Sequence, residues 1–320
     1  MQLKHLHRLA MIGAGTMGAG IGLCFARAGY DVALFSQTRA GLERAQRHIQ
    51  RSLDLFVREG GVSAEAAAAA TRRLRLTPRL KTALDGAQFV IESVPEQLKL
   101  KQDLFRKLET LCARDTILAT NTSGLSISAI ASACARPQRV IGLHWANPAE
   151  FVPLVEVIPG QKTSKAVTNT TYRLAERLGK MPVVIKKEVP GFASNRLQFA
   201  MLREALHLVE AGIVSAEDAD RVLKGGVGFR YPWLGALETA DLGGLDVFHT
   251  IAAYLFQELS AAAAPPEFFS AIVRAGQLGL KTGAGFYDYA EGDRERILNA
   301  RDHFFVRQLR TIEAIRNRRQ

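Results

Sequence analysis

Residues 8–35 read "RLAMIGAGTMGAGIGLCFARAGYDVALF" and decide the fold of the first part of the chain. A short apolar run, His7–Ile12, leads into a glycine-rich loop, and a helix-forming stretch, Ile21–Ala28, leads into a second apolar run, Asp31–Phe35. A strand, a tight loop, a helix and a second strand within roughly 30 residues form the βαβ unit of a parallel sheet. The stretch therefore predicts an α/β domain.

The glycine loop has G-x-G-x-x-G spacing, filled by Gly13, Gly15 and Gly18. In this pattern the first glycine allows a tight turn, the second lets the backbone approach a pyrophosphate, and the third lets the helix pack against the strand. The helix start offers free N–H groups to phosphate, so Thr16 and Met17 join the predicted cofactor contacts. A purely structural loop is the alternative, but the flanking strands and helix favour dinucleotide binding.

Further apolar runs continue the pattern of the first two strands. They are Phe89–Val94, Thr116–Thr120, Arg139–Trp145, Leu154–Ile158 and Pro182–Lys187. Their near-continuous apolar character predicts a parallel sheet covered by helices on both faces. Ala40–Leu76 is mostly helix-forming, with a break at Glu59–Ser63, and predicts a helical hairpin after the second strand. The fold class is a doubly wound, Rossmann-type α/β domain.

The pattern changes after residue 193, where helix-periodic segments replace the strands. These segments are Arg196–Ala211, Ala216–Lys224, Gly235–Ala240, Leu245–Leu259, Pro266–Ala275 and Asp293–Arg316. We predict a dinucleotide-binding domain over residues 1–188 and a smaller all-α domain over residues 189–320, which serves substrate binding and dimerisation.

Composition and cysteine spacing limit the classes of site. The chain has 320 residues, 48% of them hydrophobic, which is ordinary for a globular protein of two domains. Cys24, Cys112 and Cys134 are widely spaced and include no C-x-x-C pair. This argues against a disulfide framework and against a zinc site, so we expect no metal.

The net charge of +11 raises the question of nucleic-acid binding. The densest basic group, Arg301–Arg319, is interleaved with acidic and apolar residues, and no nucleic-acid-binding motif accompanies it. We predict no nucleic-acid partner; the positive field suits an anionic substrate or cofactor. Because no apolar run approaches the roughly 18 residues of a membrane span and glycines interrupt the first one, we expect a cytoplasmic protein without membrane contact.

One histidine and one glutamate stand out in "GLHWANPAEFVPLVEVI", residues 142–158. His144 and Glu156 flank a proline-marked loop within strongly apolar sequence. One interpretation is two polar residues at strand ends, satisfied by their neighbours. The other is a catalytic pair, in which the carboxylate fixes the tautomer of a histidine that transfers a proton.

Seven motifs, in order, resemble those of the L-3-hydroxyacyl-CoA dehydrogenase family over nearly the whole chain. They are "IGAGTMGAGIG" (12–22), "IESVPEQLKLKQDLF" (91–105), "TNTSGLSI" (120–127), "GLHWANP" with "LVEVI" (142–158), "VPGFASNR" (189–196), "GALETADLGGLD" (235–246) and "KTGAGFYDY" (281–289). The resemblance implies an NAD-dependent oxidoreductase of fatty acid metabolism, which acts on a small-molecule substrate and forms a homodimer through its helical domain.

The resemblance also assigns roles to four residues. It implies that His144 is the general base toward the substrate hydroxyl and that Glu156 orients and stabilises it. Ser123 and Asn195 are implied to contact the substrate oxygen. Each has a structural alternative as a helix cap: Ser123 for the helix that starts near Ser126, and Asn195 for the first helix of the second domain.

The cofactor positions depart from a common pattern. An acidic residue at the end of the second strand normally accepts the ribose hydroxyls of NAD, whereas this chain has Ser36, followed by Gln37 and Arg39. The missing carboxylate leaves NADP possible, because Arg39 is able to pair with a 2′-phosphate. The family resemblance nevertheless implies NAD.

Further cofactor contacts are predicted after the later strands. Glu96 is a predicted contact after the strand Phe89–Val94, and Asn121 is a predicted contact after the strand Thr116–Thr120. For Glu96, and for Glu92 on the other side of Pro95, a solvated loop charge is the alternative.

Three departures from the family pattern bear on the substrate. Gly124 stands where the family usually has serine, and Trp145 with Ala146 replaces two phenylalanines beside the histidine. The hairpin lacks the basic run that meets CoA in acyl-CoA enzymes and reads "LDLFVREGG" at residues 53–61. We therefore predict reversible oxidation of an L-3-hydroxyacyl-CoA or a related small 3-hydroxy acid. The alternatives are a free substrate of the carnitine, gulonate or pyridine-carboxylate type, and a non-catalytic, crystallin-like structural role.

Overall fold

The computed structural model describes residues 5–319 and divides the chain into two units. The first contains the chain up to Ala193 together with Phe305–Leu309, and the second contains Ser194–Phe304 and the chain from Arg310 onward. The first unit is built on one sheet of eight strands. They are β1 (Arg8–Ile12), β2 (Asp31–Phe35), β3 (Leu74–Thr77), β4 (Phe89–Glu92), β5 (Ile117–Thr120), β6 (Val140–Trp145), β7 (Leu154–Pro159) and β8 (Met181–Val184).

The strand order is β3-β2-β1-β4-β5-β6-β7-β8. The strands from β3 to β6 in this order pair in parallel, whereas β7 pairs antiparallel with β6, and β8 pairs parallel with β7. The prediction of a doubly wound α/β domain is confirmed. The prediction of a parallel sheet is wrong for β7 and β8, which run opposite to the other six strands, because residues 146–153 contain no crossover helix and a short connection joins antiparallel neighbours.

In the described part of this unit, seven α-helices flank the sheet. They are α1 (Thr16–Arg27), α2 (Arg39–Arg58), α3 (Ala64–Arg72), α4 (Leu80–Leu84), α5 (Leu98–Leu111), α6 (Ile127–Ala131) and α7 (Lys165–Arg177). Buried apolar residues form a core on each face of the sheet, which explains the apolar character of the central strands.

Two sequence predictions in this region are wrong at their boundaries. Helix α1 begins at Thr16, not at the predicted Ile21. The prediction assigned Gly18 and Gly20 to the loop, whereas both lie inside the helix and allow it to pack closely. The predicted hairpin does not extend to Leu76, because Leu74–Thr77 forms the edge strand β3 beside β2. Leu74 and Leu76 alternate with polar residues and pack against the core, which is the period of a strand.

The second unit is helical. Its helices are α8 (Ser194–Glu210), α9 (Ala216–Val222), α10 (Gly228–Arg230), α11 (Ala236–Gly243), α12 (Leu245–Glu258), α13 (Glu267–Arg274) and α14 (Asp293–Arg319), with a π-turn at Leu223–Val227. The segment Phe305–Leu309 of α14 belongs to the first unit. Within residues 194–304, which are all described, only Leu206 and Ala219 are buried. None of the helices in the described chain is long and apolar enough to cross a membrane.

Candidate active site

The candidate site lies at the carboxyl ends of the parallel strands. The loops after β1, β4 and β5 and the end of β6 meet at this edge of the sheet because these strands run in the same direction. Ligands bind at this edge in open α/β sheets. Among the described residues, no group of three or more His, Cys, Asp or Glu side chains is placed to hold a metal ion.

The glycine loop requires glycine at two positions for different reasons. Gly13 has a φ of +108°, and a Cβ there would lie 2.4 Å from the carbonyl oxygen of Ser93. A Cβ on Gly18 would lie 1.8 Å from the carbonyl oxygen of Gly13. Both contacts are far below van der Waals distance, so a side chain at either position displaces the loop.

The loop also fits the pyrophosphate of a dinucleotide. Gly15 is the N-cap of α1 and provides no side-chain hydrogen bond to the first turn, which contains Thr16 and Met17. A Cβ on Gly15 would have no heavy atom within 4 Å, so the space beside the helix start is open. Free N–H groups facing open space at a helix N-terminus provide an anion site.

The residues after β2 are not arranged for a 2′-phosphate. Ser36 Oγ accepts a hydrogen bond from the Thr38 backbone N–H at 3.4 Å, and Thr38 caps α2 by accepting from Gly41 N–H. The Arg39 guanidinium pairs with Glu43 at 3.1 Å on the exposed surface of α2. Gln37 is exposed. A cofactor contact by Ser36, Gln37 or Arg39 remains a prediction, and the ion pair of Arg39 disfavours the NADP alternative.

Ser36→Asp is expected to increase the preference for NAD over NADP. A carboxylate at this position accepts from both ribose hydroxyls and repels a 2′-phosphate, and a tenfold change in the ratio of the two Kd values corresponds to about 1.4 kcal/mol. Calorimetric titration of both oxidised cofactors measures the ratio. Arg39→Ala is the control and should leave the ratio unchanged, because Arg39 pairs with Glu43. An unchanged ratio in Ser36→Asp would show that the ribose lies elsewhere.

A buried ion pair lies at the end of β4. The Lys101 Nζ lies 2.6 Å from Glu92 Oε1, and both side chains are almost fully buried. Glu92 also accepts from the Val94 backbone N–H and, through Oε2, from the Thr120 hydroxyl at 2.7 Å. The solvated-charge interpretation of Glu92 is therefore wrong, because its buried carboxylate is engaged by Lys101, Val94 and Thr120.

Sequence reasoning missed Lys101, although a signal exists. Lys101, Phe105 and Leu108 share the buried face of α5 at helical spacing. A lysine among apolar positions of that period indicates a buried cation, and such a cation requires an acidic partner.

Glu96 organises the loop that follows β5. Its Oε1 accepts from the Thr122 hydroxyl, from the Ser123 N–H at 2.9 Å and from the Gly124 N–H at 3.2 Å. Burial raises the pKa of Glu96, but the Thr122 hydrogen bond, the Lys101 charge and the two amides outweigh it, so the pKa lies below its usual value. Glu96 is 43% exposed and hydrogen-bonded to the loop at the same time, so it is a solvated charge with a structural role, and its cofactor contact remains a prediction.

Asn121 connects three strand ends. Its Oδ1 accepts from the Trp145 backbone N–H at 2.9 Å, and its Nδ2 donates to Ser93 Oγ at 3.3 Å. The side chain is buried at the edge where a cofactor binds in this fold. Its predicted role as a cofactor contact remains untested, while its structural role is clear.

His144 and Glu156 form a buried dyad. They lie directly opposite each other on β6 and β7, and His144 Nδ1 is 2.7 Å from Glu156 Oε2. The side chains are 8% and 2% exposed. Because directly opposite residues of an antiparallel pair share a face, the turn after β6 brings the two together. The hydrogen bond at Nδ1 leaves Nε2 as the ring nitrogen for a substrate proton.

The structure shows that neither Ser123 nor Asn195 is the N-cap of a helix. The cap of α6 is Ser126, whose side chain accepts from the Ala129 N–H at 3.0 Å, and Ser123 lies exposed in the preceding loop. Asn195 is the second residue of α8, inside the helix, and is not its N-cap. The substrate contacts of both residues remain predictions.

The fold, the glycine loop and the dyad define an NAD-binding oxidoreductase. The chain belongs to the 3-hydroxyacyl-CoA dehydrogenase family: the NAD binding domain of the family matches residues 8–189, and its C-terminal domain matches residues 191–289. The family assignment, the enzyme class and NAD as the cofactor, all predicted from the sequence, are thereby confirmed.

Named relatives differ in substrate. The chain is 33% identical to the 5-formyl-3-hydroxy-2-methylpyridine 4-carboxylate 5-dehydrogenase of Mesorhizobium japonicum, over 96% of this chain and 99% of the relative. It is 40% identical to a 3-hydroxybutyryl-CoA dehydrogenase of Clostridioides difficile, over 88% of this chain and 99% of the relative. A solved structure of a 5-formyl-3-hydroxy-2-methylpyridine 4-carboxylic acid 5-dehydrogenase, an NAD⁺-dependent dismutase, matches with a TM-score of 0.91 at 33% identity, covering 96% of this chain and 99% of that one.

Proposed function

We propose that this protein oxidises a hydroxyl group, or the hydrate of an aldehyde, on a small free carboxylate, with NAD as the oxidant. The buried His144–Glu156 dyad at the cofactor edge of the sheet carries the proposal. Bound NAD supplies the hydride acceptor, and the glycine loop holds its pyrophosphate. His144 Nε2 removes the hydroxyl proton, and Glu156 stabilises the resulting imidazolium. Ser123 and Asn195 hold the oxygen that becomes the carbonyl.

The end of α2, at residues 53–61, supports a substrate without CoA. Residues 53–61 contain one basic residue, Arg58, beside Asp54 and Glu59, so the CoA phosphates would find little positive charge there. Phe56 lies buried against Phe151 with ring centroids 5.3 Å apart. The end of α2 around Phe56 is therefore part of a hydrophobic contact.

Residues 305–309 of α14 form the other side of the hydrophobic contact with α2. Val306 is buried against Leu55, Phe56 and Phe151, and Arg307 pairs with Glu59 through two hydrogen bonds of 2.8 and 3.1 Å. This segment lies beyond residue 289, where the match to the family's C-terminal domain ends. Within this proposal, the contact of Val306 and Arg307 with the end of α2 supports a substrate without CoA.

The substrate class is tested by NAD reduction with a matched set of compounds. A formyl- or hydroxymethyl-pyridine carboxylate, L-carnitine, L-3-hydroxybutyrate and L-3-hydroxybutyryl-CoA are assayed at the same NAD concentration. We expect kcat/KM for at least one free carboxylate to exceed that for the thioester by about tenfold, the equivalent of 1.4 kcal/mol. A thioester that is preferred by the same factor would overturn the substrate class and leave the dehydrogenase reaction standing.

A 3-hydroxyacyl-CoA substrate is the second candidate. The 40% identity to a 3-hydroxybutyryl-CoA dehydrogenase favours it, and a role in fatty acid metabolism goes with it. The same assay decides between the two candidates.

We also propose that the helical unit forms a homodimer. Leu237, Leu242, Phe229 and Phe256 are 85%, 72%, 79% and 72% exposed in the single chain. Such a quantity of exposed apolar surface is rare on a monomer. Most soluble oligomers are symmetric assemblies of identical chains, so a second copy of this chain is the expected partner.

The dimer should dissociate when charge is placed on this surface. Light scattering should give twice the chain mass for the wild type, whereas Leu237→Glu with Phe256→Glu should shift the protein toward the monomer and lower its Tm, because a buried unpaired charge opposes association. Leu100→Glu, at an exposed position of α5, is the control and should change neither. A wild type that remains monomeric at all concentrations would contradict the proposal.

A cytoplasmic location is proposed from the thiols. Cys24, Cys112 and Cys134 are free, and burial raises the pKa of Cys112 and Cys134 to about 11. Free thiols are typical of proteins from a reducing compartment.

A further inference from the structure

The turn Gly191–Ala193 contains an unusual backbone conformation. Phe192 has a φ of +52°, and no other non-glycine residue of the described chain has a positive φ. The left-handed region is unfavourable for a bulky residue, because Cβ approaches the following carbonyl group. Strain of this kind persists where the surroundings enforce it, and it is concentrated at functional sites.

The two residues that end this turn contact the two members of the dyad. The Phe192 ring packs against the His144 imidazole, with ring centroids 5.6 Å apart and planes inclined by 56°. The Ala193 backbone N–H donates to Glu156 Oε1 at 2.9 Å. Glu156 Oε2 is the oxygen that faces His144 Nδ1. One turn of the chain therefore holds both the imidazole and the carboxylate.

We infer that Phe192 is a positioning residue for the dyad and that its left-handed backbone directs the Ala193 amide to Glu156. The inference rests on the proposed function, in which His144 is the base. With Oε1 held by the amide, the carboxylate cannot rotate away, and Oε2 stays aimed at Nδ1. The Phe192 side chain, 1% exposed, covers one side of the imidazole and keeps water from the Nδ1–Oε2 hydrogen bond.

The sign of φ at residue 192 is what links the two contacts. An ordinary negative φ would rotate the peptide group after Phe192 and carry the Ala193 N–H away from Glu156. The chain therefore combines a large side chain with a backbone that suits glycine. A residue selected only to fill the core has no need of that combination.

Three variants separate positioning from packing. Phe192→Ala removes the ring and keeps the backbone cost, whereas Phe192→Gly removes the ring and also relieves that cost. Phe192→Leu keeps a large apolar cover. We expect kcat to fall about tenfold or more in the alanine and glycine variants, since small misplacements of catalytic groups have effects of this size. The leucine variant should keep most of the kcat, and all three should keep the wild-type Kd for NAD.

Stability measurements show whether the turn is strained. The Tm of Phe192→Gly should be above that of Phe192→Ala, because glycine adopts a positive φ freely. Phe105→Ala, a fully buried phenylalanine of α5, is the packing control and should lower the Tm without lowering kcat at a temperature where it is folded.

The outcomes distinguish this inference from the proposed function. Wild-type kcat in Phe192→Gly, or a loss of NAD affinity in parallel with kcat, would overturn the positioning role of Phe192. If His144→Ala is inactive in the same assay, the catalytic role of the dyad still stands. Full activity of His144→Ala would overturn the proposed site and the positioning role together.

Discussion

His144→Ala is expected to lower kcat by about 100-fold or more, while the Kd for NAD stays nearly unchanged. A positioned general base typically contributes roughly 10² to 10⁴ to the rate. His144 Nδ1 is held by Glu156 at 2.7 Å, so the other ring nitrogen is the one available to a substrate hydroxyl. Steady-state rates with saturating substrate, and a separate titration of NAD, measure the two quantities.

A second variant separates the loss of the general base from a loss of protein stability. His144→Ala leaves the buried Glu156 carboxylate without its partner, which destabilises the protein by itself. His144→Gln keeps an N–H donor near Glu156 but has no group that accepts a proton, so it should be as inactive as the alanine variant and more stable. Glu156→Gln keeps an acceptor for Nδ1–H and should lose less activity than either. Near-normal rates in His144→Gln would mean that His144 is a structural residue.

The sequence predicted the fold well where local pattern and topology agree. The 28-residue stretch from Arg8 to Phe35 contains β1, the glycine loop, α1 and β2 without long-range information. The amino-acid sequence did not predict the direction of β7. A buried antiparallel strand is as apolar as a parallel one, and only the length of the preceding connection distinguishes the two. The strand β3 was missed because four residues at a sheet edge alternate too briefly to interrupt a long helical pattern.

In the candidate site, too, the sequence indicated which residues to consider but not how they are arranged. His144 and Glu156 stand out because residues of these types are unusual within apolar strands, but only the family resemblance assigned them a catalytic role. Their direct opposition depends on the antiparallel register of β6 and β7, which no motif in the chain states. The role of Phe192 was not visible at all, since a phenylalanine after Pro190 and Gly191 reads as core, and the sign of its φ is a property of the folded chain.

Gly18→Ala is expected to weaken NAD binding at least tenfold and to lower the Tm. The new Cβ would lie 1.8 Å from the Gly13 carbonyl oxygen, so the glycine loop and the start of α1 must separate. Overpacking of this kind typically costs about 1 to 3 kcal/mol. The displacement moves the N–H groups that fit a pyrophosphate, so affinity falls with stability. Thermal denaturation and calorimetric titration with NAD measure the two losses.

Two other glycines provide matched controls for this prediction. A Cβ on Gly15 meets no heavy atom within 4 Å, and its φ of −72° suits alanine, so Gly15→Ala should keep the wild-type Tm. It should still weaken NAD binding, because the methyl group projects into the open space beside the helix start. Gly22→Ala, inside α1 with its nearest contact at 3.7 Å, should bind NAD normally and be slightly more stable, since alanine favours a helix. Normal NAD affinity in both Gly15→Ala and Gly18→Ala would place the pyrophosphate away from this loop.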